Sequence, residues 1–275
     1  MRGKTLDKKC FVCHSLLTSE NNSSEHIFLF SLGDTHPVKG IVCKYCNNWL
    51  GEVVDFDFVK TFKGLYKTVS GKSEVVSMTT EQGERFSVPI KNEQIENKPI
   101  LSQSPFKFID ESNFSEHFYD STDAETSMKK QTNRNPDKNI NYNITKETSI
   151  PTFYIKPKID KVNFTLEILK IQAEYLRSTD YNVNTLGEFI FKYANVNKNL
   201  PNPFEPFEKL LIYIFNSVIQ PGFKYIPKNT DIIPGVSKAE VIRLKEIDWM
   251  FISLFGKVNM TIPIITQSFL NLLTS

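Results

Sequence analysis

A chain of 275 residues, 40% of them hydrophobic, is long enough for one large domain or two modest ones and apolar enough to pack a core, which excludes wholesale disorder. Its formal net charge of +2 does not mark a nucleic-acid binder, although residues 1–72 lean basic, with ten Lys/Arg against seven Asp/Glu. No apolar run approaches the roughly 20 residues that span a bilayer, and residues 1–7 hold no signal-peptide core, so the expected setting is cytoplasmic and reducing, with no membrane partner.

In chain order, residues 1–9 are a basic lead-in. Cys10-Phe11-Val12-Cys13 reads as a knuckle, followed by a polar loop over 18–24. A short strand is expected over 25–30, turn residues at Gly33-Asp34 and Pro37, and a second short strand over 40–42. Trp49, Leu50, Val53 and Val54 recur at three- and four-residue steps, which predicts a helix from Cys46 to about Phe58. The segments 74–78 and 85–88 flank a turn containing Gln82-Gly83 and predict a β-hairpin. From 97 to 160 the composition shifts to Asn, Ser, Thr, Lys and Asp, the signature of a flexible linker.

Beyond it, Phe164, Ile168, Ile171, Tyr175 and Leu176 predict an amphipathic helix, with further helices over 186–194 and 207–218. Residues 248–262 predict a hairpin turning at Gly256-Lys257. The expected organisation is a metal-stapled module over 1–60, a hairpin extension over 61–96, a linker over 97–160, and a mixed helical and β domain over 161–275. That last region shows no catalytic constellation in the sequence. Recognition of substrate, of a partner or of a second copy, as in a homodimer, is its expected role.

All four cysteines of the protein fall in two C-x2-C pairs, Cys10/Cys13 and Cys43/Cys46, separated by 29 residues. In a reducing setting such pairs read as metal ligands rather than disulfides. Two knuckles bring four thiolates to one point, which suits tetrahedral zinc. A four-thiolate site leaves no open position, so the zinc is expected to be structural.

Between the pairs stands Glu25-His26, and Asn47 directly follows the last cysteine. Cutting a phosphodiester with one metal takes a base to activate water, a hard cation, and oxygen ligands to hold it. A neutral imidazole suits the base. A carboxylate and an amide oxygen suit Mg²⁺ or Mn²⁺. Neighbouring strand residues point to opposite faces, so Glu25 and His26 share a site only where the strand ends or bends. His14, His36 and His117 carry no motif, and Lys39, Lys44, Lys60, Lys63 and Lys67 read as ordinary lysines able to meet phosphate.

The run Cys10-x2-Cys13, Ser24-Glu25-His26-Ile27, Leu32-Gly33, Cys43-x2-Cys46-Asn47-Asn48, Leu50-Gly51 and Val54-Asp55 resembles the zinc-containing branch of the HNH endonuclease superfamily. The likeness covers about 50 of the 275 residues. It implies an α+β protein whose N-terminal part has the ββα-metal, or His-Me finger, fold. It implies His26 as general base, Glu25 as metal ligand and Asn47 as metal ligand or loop-orienting residue, with nucleic acid, expected to be double-stranded DNA, as partner. A strict HNH protein has a second His at the third position. Here Asp55 stands nearest, eight residues after Asn47 and about 80° past two full turns of a regular helix, an oblique placement for a ligand. The competing expectation is a zinc-ribbon module that binds nucleic acid or protein and has lost catalysis. The Asn- and Lys-rich composition fits a bacterial or phage origin.

Overall fold

The computed structural model describes residues 8–80, the stretches 83, 85–91, 94–95, 100–103, 107–108, 114–115, 121–134 and 136, and residues 158–274 apart from 180, 182, 229, 245 and 246. His117, Gln82 and residues 137–157 of the expected linker lie outside the described residues.

The chain begins with β1 (Asn22–Glu25) and β2 (Val38–Cys43), an antiparallel pair whose register shifts between Asn22 and Ser24. The strand expected over 25–30 therefore ends where it was expected to start. His26 to Leu29 turn away, and a 3₁₀ turn over Phe30–Leu32 closes on Gly33 at φ +95°. Cys43 ends β2 and caps α1 (Lys44–Leu50). A single π turn, Gly51–Asp55, then passes into α2 (Phe56–Val69).

The molecule divides into two compact units, Met1–Tyr66 with Lys158–Ser275, and Lys67–Pro157. In the second unit, β3 (Glu74–Thr79) and β4 (Arg85–Lys91) form the expected hairpin, with Val76, Phe86, Val88 and Ile90 buried in its core. The short strands β5 (Gln94–Ile95) and β6 (Ile100–Gln103) pair with β4. A further pair, β7 (Lys107–Phe108) with β8 (Phe114–Ser115), precedes α3 (Ser121–Arg134). The stretch 121–134, expected as linker, is thus a helix of nearly four turns.

The first unit is built around α4 (Lys161–Ser178). Asp160 caps it, accepting from the backbone N–H of Val162 and Asn163. The apolar spacing predicted one buried stripe. Instead every residue from Phe164 to Glu174 is buried, and a run of three turns leaves no face to solvent. Phe164 lies 5.7 Å from both Phe58 and Phe62 of α2, 5.9 Å from Phe215 and 6.0 Å from Phe223. Helix α5 (Leu186–Val196) starts in a capping box of Thr185 and Glu188. A 3₁₀ turn at Glu205–Phe207, α6 (Glu208–Ile214), a π turn at Phe215–Ile219 and the short α7 (Gln220–Gly222) follow.

The expected hairpin appears as β10 (Ile247–Leu254) and β11 (Val258–Pro263), joined by a third strand, β9 (Lys238–Leu244), on the other side of β10. The turn places Phe255 at φ +42° and Gly256 at φ +71°. A final helix, α8 (Gln267–Thr274), was not foreseen. Gln172 of α4 fixes this sheet to the helix, donating to Pro263 O at 3.1 Å and accepting from Ile265 N at 2.8 Å. The fold is α+β, as expected.

Candidate functional site

The first knuckle reverses the chain at residues 10–14. His14 N donates to Cys10 O at 2.9 Å, and His14 takes φ +59° as the chain leaves. Phe11 N donates to Ile41 O at 2.9 Å, which ties this knuckle to β2, whose end carries Cys43. One turn of α1 later comes Cys46. The four sulfurs lie within 4.8 Å of one another. A zinc ion with bonds near 2.3 Å in a tetrahedron places its sulfurs about 3.8 Å apart, and Cys13 Sγ and Cys43 Sγ are 3.8 Å apart.

Three of the four cysteines are buried, and the polypeptide already favours a thiolate among them. Hydrogen bonding from the Cys46 thiol, with help from backbone N–H groups, holds Cys10 down to about 4. The same contact pushes Cys46 far up. This is a structural zinc-binding site of the closed, four-thiolate kind. His14 is exposed, and the four-cysteine set is complete without it.

The second centre opens beside the first. A cavity of about 400 Å³ is lined by Glu25, His26, Phe30, Asn47, Gly51 and Asp55, with Ser24, Leu29, Asn48 and Glu52. Glu25, His26, Asn47 and Asp55, the residues picked from the sequence, therefore face one space. The end of β1 at Glu25 allows the first two to do so: past it the alternation of a strand no longer applies. Asn47 is anchored by Nδ2 donating to Ser23 Oγ at 2.8 Å, which leaves its amide oxygen for other work. Asp55 reaches the cavity because of the π turn. A π turn winds more residues per revolution, so each residue advances less about the axis. The 80° overshoot of a regular helix shrinks, and Asp55 returns towards the face of Asn47.

His26 has a quarter of its side chain exposed, and its Nδ1 lies buried 3.8 Å from Asp34 Oδ2, too far for a hydrogen bond. Asp34 is held by Phe28 N at 3.3 Å and His36 N at 2.8 Å. The Phe30 ring lies 5.4 Å from the imidazole, yet the residue is 70% exposed at the edge of the cavity. Asp34 was read only as a turn residue, and its role beside His26 was not foreseen.

Beneath the cavity lies a charge cluster that the sequence did not announce. Lys170 of α4 is fully buried, with Nζ 2.9 Å from Asp55 Oδ1, 3.2 Å from Glu25 Oε1 and 3.9 Å from Glu174 Oε1. These are ion pairs by distance, without the alignment of hydrogen bonds. Glu167 and Glu174, one turn to either side of Lys170, are also fully buried. Burial pushes both of their carboxyls well above the usual range, as it raises Glu25. Burial alone would lower Lys170, but the acidic groups around it, Asp55 first, more than reverse this and raise it well above the ordinary lysine value. The signal in the sequence was the spacing Glu167-x2-Lys170-x3-Glu174, three charges on one face of an otherwise apolar helix.

The donors around the cavity fit a hard cation. Mg²⁺ takes one or two carboxylates and fills its remaining positions with water and substrate phosphate; the lining offers the carboxylates of Glu25 and Asp55 and the side-chain amide of Asn47, which could serve. Among the described residues, no helix is long and apolar enough to cross a membrane. Residues 10–63 match the family model described as HNH endonuclease. No curated protein and no solved structure matches the chain.

Proposed function

We propose, from the match of residues 10–63 to the HNH endonuclease family model, that the chain is a metal-dependent endonuclease hydrolysing phosphodiester bonds of nucleic acid, with double-stranded DNA as substrate. The observation that supports it most is the convergence of Glu25, His26, Asn47 and Asp55 on one cavity. His26 is the general base. With Nδ1 turned towards Asp34, Nε2 is the atom that takes the proton of a water molecule, and the resulting hydroxide attacks phosphorus as the 3′ oxygen leaves. Asp34 steadies the imidazolium formed in that step. Glu25 and Asn47 would hold the metal, with Asp55 as a further ligand. A Mg²⁺ or Mn²⁺ ion bound there would supply positive charge for the leaving oxygen. The zinc cluster keeps Asn47, at the start of α1, aligned with His26 at the end of β1.

Plasmid nicking with Mg²⁺ or Mn²⁺ tests this reading. Wild type should cleave, and His26→Ala should lose at least about 100-fold in rate with zinc content unchanged. Equal cleavage by both would remove His26 as base. The four-cysteine cluster fits equally a zinc module that only binds nucleic acid or protein, and that reading takes over if wild type binds DNA without cutting it.

A further inference from the structure

Glu25 and Asp55 approach the cavity from different elements, β1 and the π turn, and share one partner behind it. Lys170 comes from α4, more than a hundred residues further along the chain, and lies outside the segment 10–63 that matches the family. Its ammonium has three donors and no acceptor. It stands at ion-pair distance from one oxygen of each carboxylate, Glu25 Oε1 at 3.2 Å and Asp55 Oδ1 at 2.9 Å. The other Asp55 oxygen, Oδ2, faces Gly51, which also lines the cavity; a Cβ built on that glycine would lie 4.0 Å from it.

We propose that Lys170 is a positioning residue of the site: it holds the Glu25 and Asp55 carboxylates as a preset pair, each with one oxygen anchored below and the other left for a divalent cation in the cavity.

Three observations converge on this role. Two carboxylates aimed into one small space repel each other, and an uncompensated pair would splay apart or take up a proton. Lys170 is fully buried, so its charge is not diluted by water and its position is fixed by the packing of α4. Finally, no other lysine or arginine among the described residues forms an ion pair with Glu25 or Asp55. Partners that orient metal ligands from behind typically change metal affinity or activity by about 10–100-fold when removed.

The proposal rests on the reading of Glu25 and Asp55 as metal ligands, so its test reads metal binding apart from cleavage. Mn²⁺ affinity of the zinc-loaded protein is measured by electron paramagnetic resonance for wild type and Lys170→Met, alongside kcat and KM for plasmid nicking. The expected result for the variant is Mn²⁺ affinity weakened by about tenfold or more, kcat reduced in step, KM for DNA within about twofold, and zinc at full stoichiometry. Because a buried ammonium is being deleted among carboxylates, the single variant can fail to fold. The same substitution is therefore made in a Glu167→Gln/Glu174→Gln background, where the excess of buried acid is gone. The background pair alone should bind Mn²⁺ within about twofold of wild type, and adding Lys170→Met should produce the tenfold loss. Folded variants lacking Lys170 with Mn²⁺ affinity and kcat within twofold of their parents overturn the proposal. So does a wild type with no Mn²⁺ affinity, which removes the metal ligands as well. A wild type that binds Mn²⁺ but cuts nothing overturns only the nuclease reading and leaves the Lys170 comparison intact.

Discussion

Two staples hold the N-terminal module in shape, and they differ in every respect except their task. The first is the four-cysteine cluster, whose ligands arrive in two local pairs and converge on one point. The second is the buried cluster of Lys170, Glu25, Asp55, Glu167 and Glu174, assembled from three elements around one ammonium. The thiolate cluster would gain its strength from coordination by ligands close together in the chain. The charge cluster depends wholly on α4 staying where it is, because a buried ion pair stabilises only when its geometry is kept and desolvation is offset. A single module thus carries one staple set by local ligand spacing and another that is only as good as the surrounding core.

Breaking the first staple should have the largest effect. Cys43→Ser removes one thiolate while leaving a hydroxyl that still caps α1. Zinc content should fall from one equivalent to near zero, with loss of the cooperative melting transition of the module, because binding free energy at such sites is folding free energy. Elemental analysis and circular dichroism read this directly; full zinc occupancy in the variant would contradict the four-thiolate assignment.

The second staple can be disturbed without touching a charged group. Gly187 opens α5 against the backbone of α4: a Cβ there would lie 2.6 Å from Leu169 O, next to Lys170 in the chain. Gly187→Ala must push the two helices apart, at a cost of roughly 1–3 kcal/mol. That corresponds to a drop of several degrees in Tm with zinc retained. An unchanged Tm would mean that the α4–α5 contact gives way freely, and that α4 is not a rigid seat for Lys170.

The smallest effect is a pH dependence confined to the charge cluster. Glu174 is buried with its carboxyl raised well above the ordinary value. A raised acid contributes stability that is fully present below its unfolded pKa, near 4.3, and is lost as pH rises towards its folded pKa, because the unfolded chain then gives up its proton first. Gln cannot titrate. Glu174→Gln should therefore match wild type in Tm near pH 5 and exceed it by a few degrees at pH 8. Paired thermal melts at the two pH values decide; the same difference at both would remove the proton from Glu174 as the cause. The zinc staple should contribute nothing to this difference, since the substitution leaves all four cysteines in place.

Much of this protein was written in short-range pattern. The C-x2-C spacing announced the thiolate site because its geometry is nearly local: each pair spans one turn of chain. Glu25-His26 and Cys46-Asn47 named the cavity's residues because adjacent positions fix them within the same few ångströms. The β3–β4 and β10–β11 hairpins were visible because alternation and turn residues carry their own register. Even Asp55 was legible as a candidate, although a regular helix put it off-axis and only a π turn returned it.

What the sequence could not disclose is how α4 is surrounded. An apolar stripe broken by Glu167, Lys170 and Glu174 looks like an amphipathic helix with a wet face, and it becomes a buried one only when residues 8–66 and 158–274 fold as one unit. Composition and spacing determined the metal chemistry, since ligand type and local distance suffice for it. The tertiary structure alone decided which ammonium stands behind the carboxylates, because a side chain's charge is local but its burial and its partners are properties of everything packed around it.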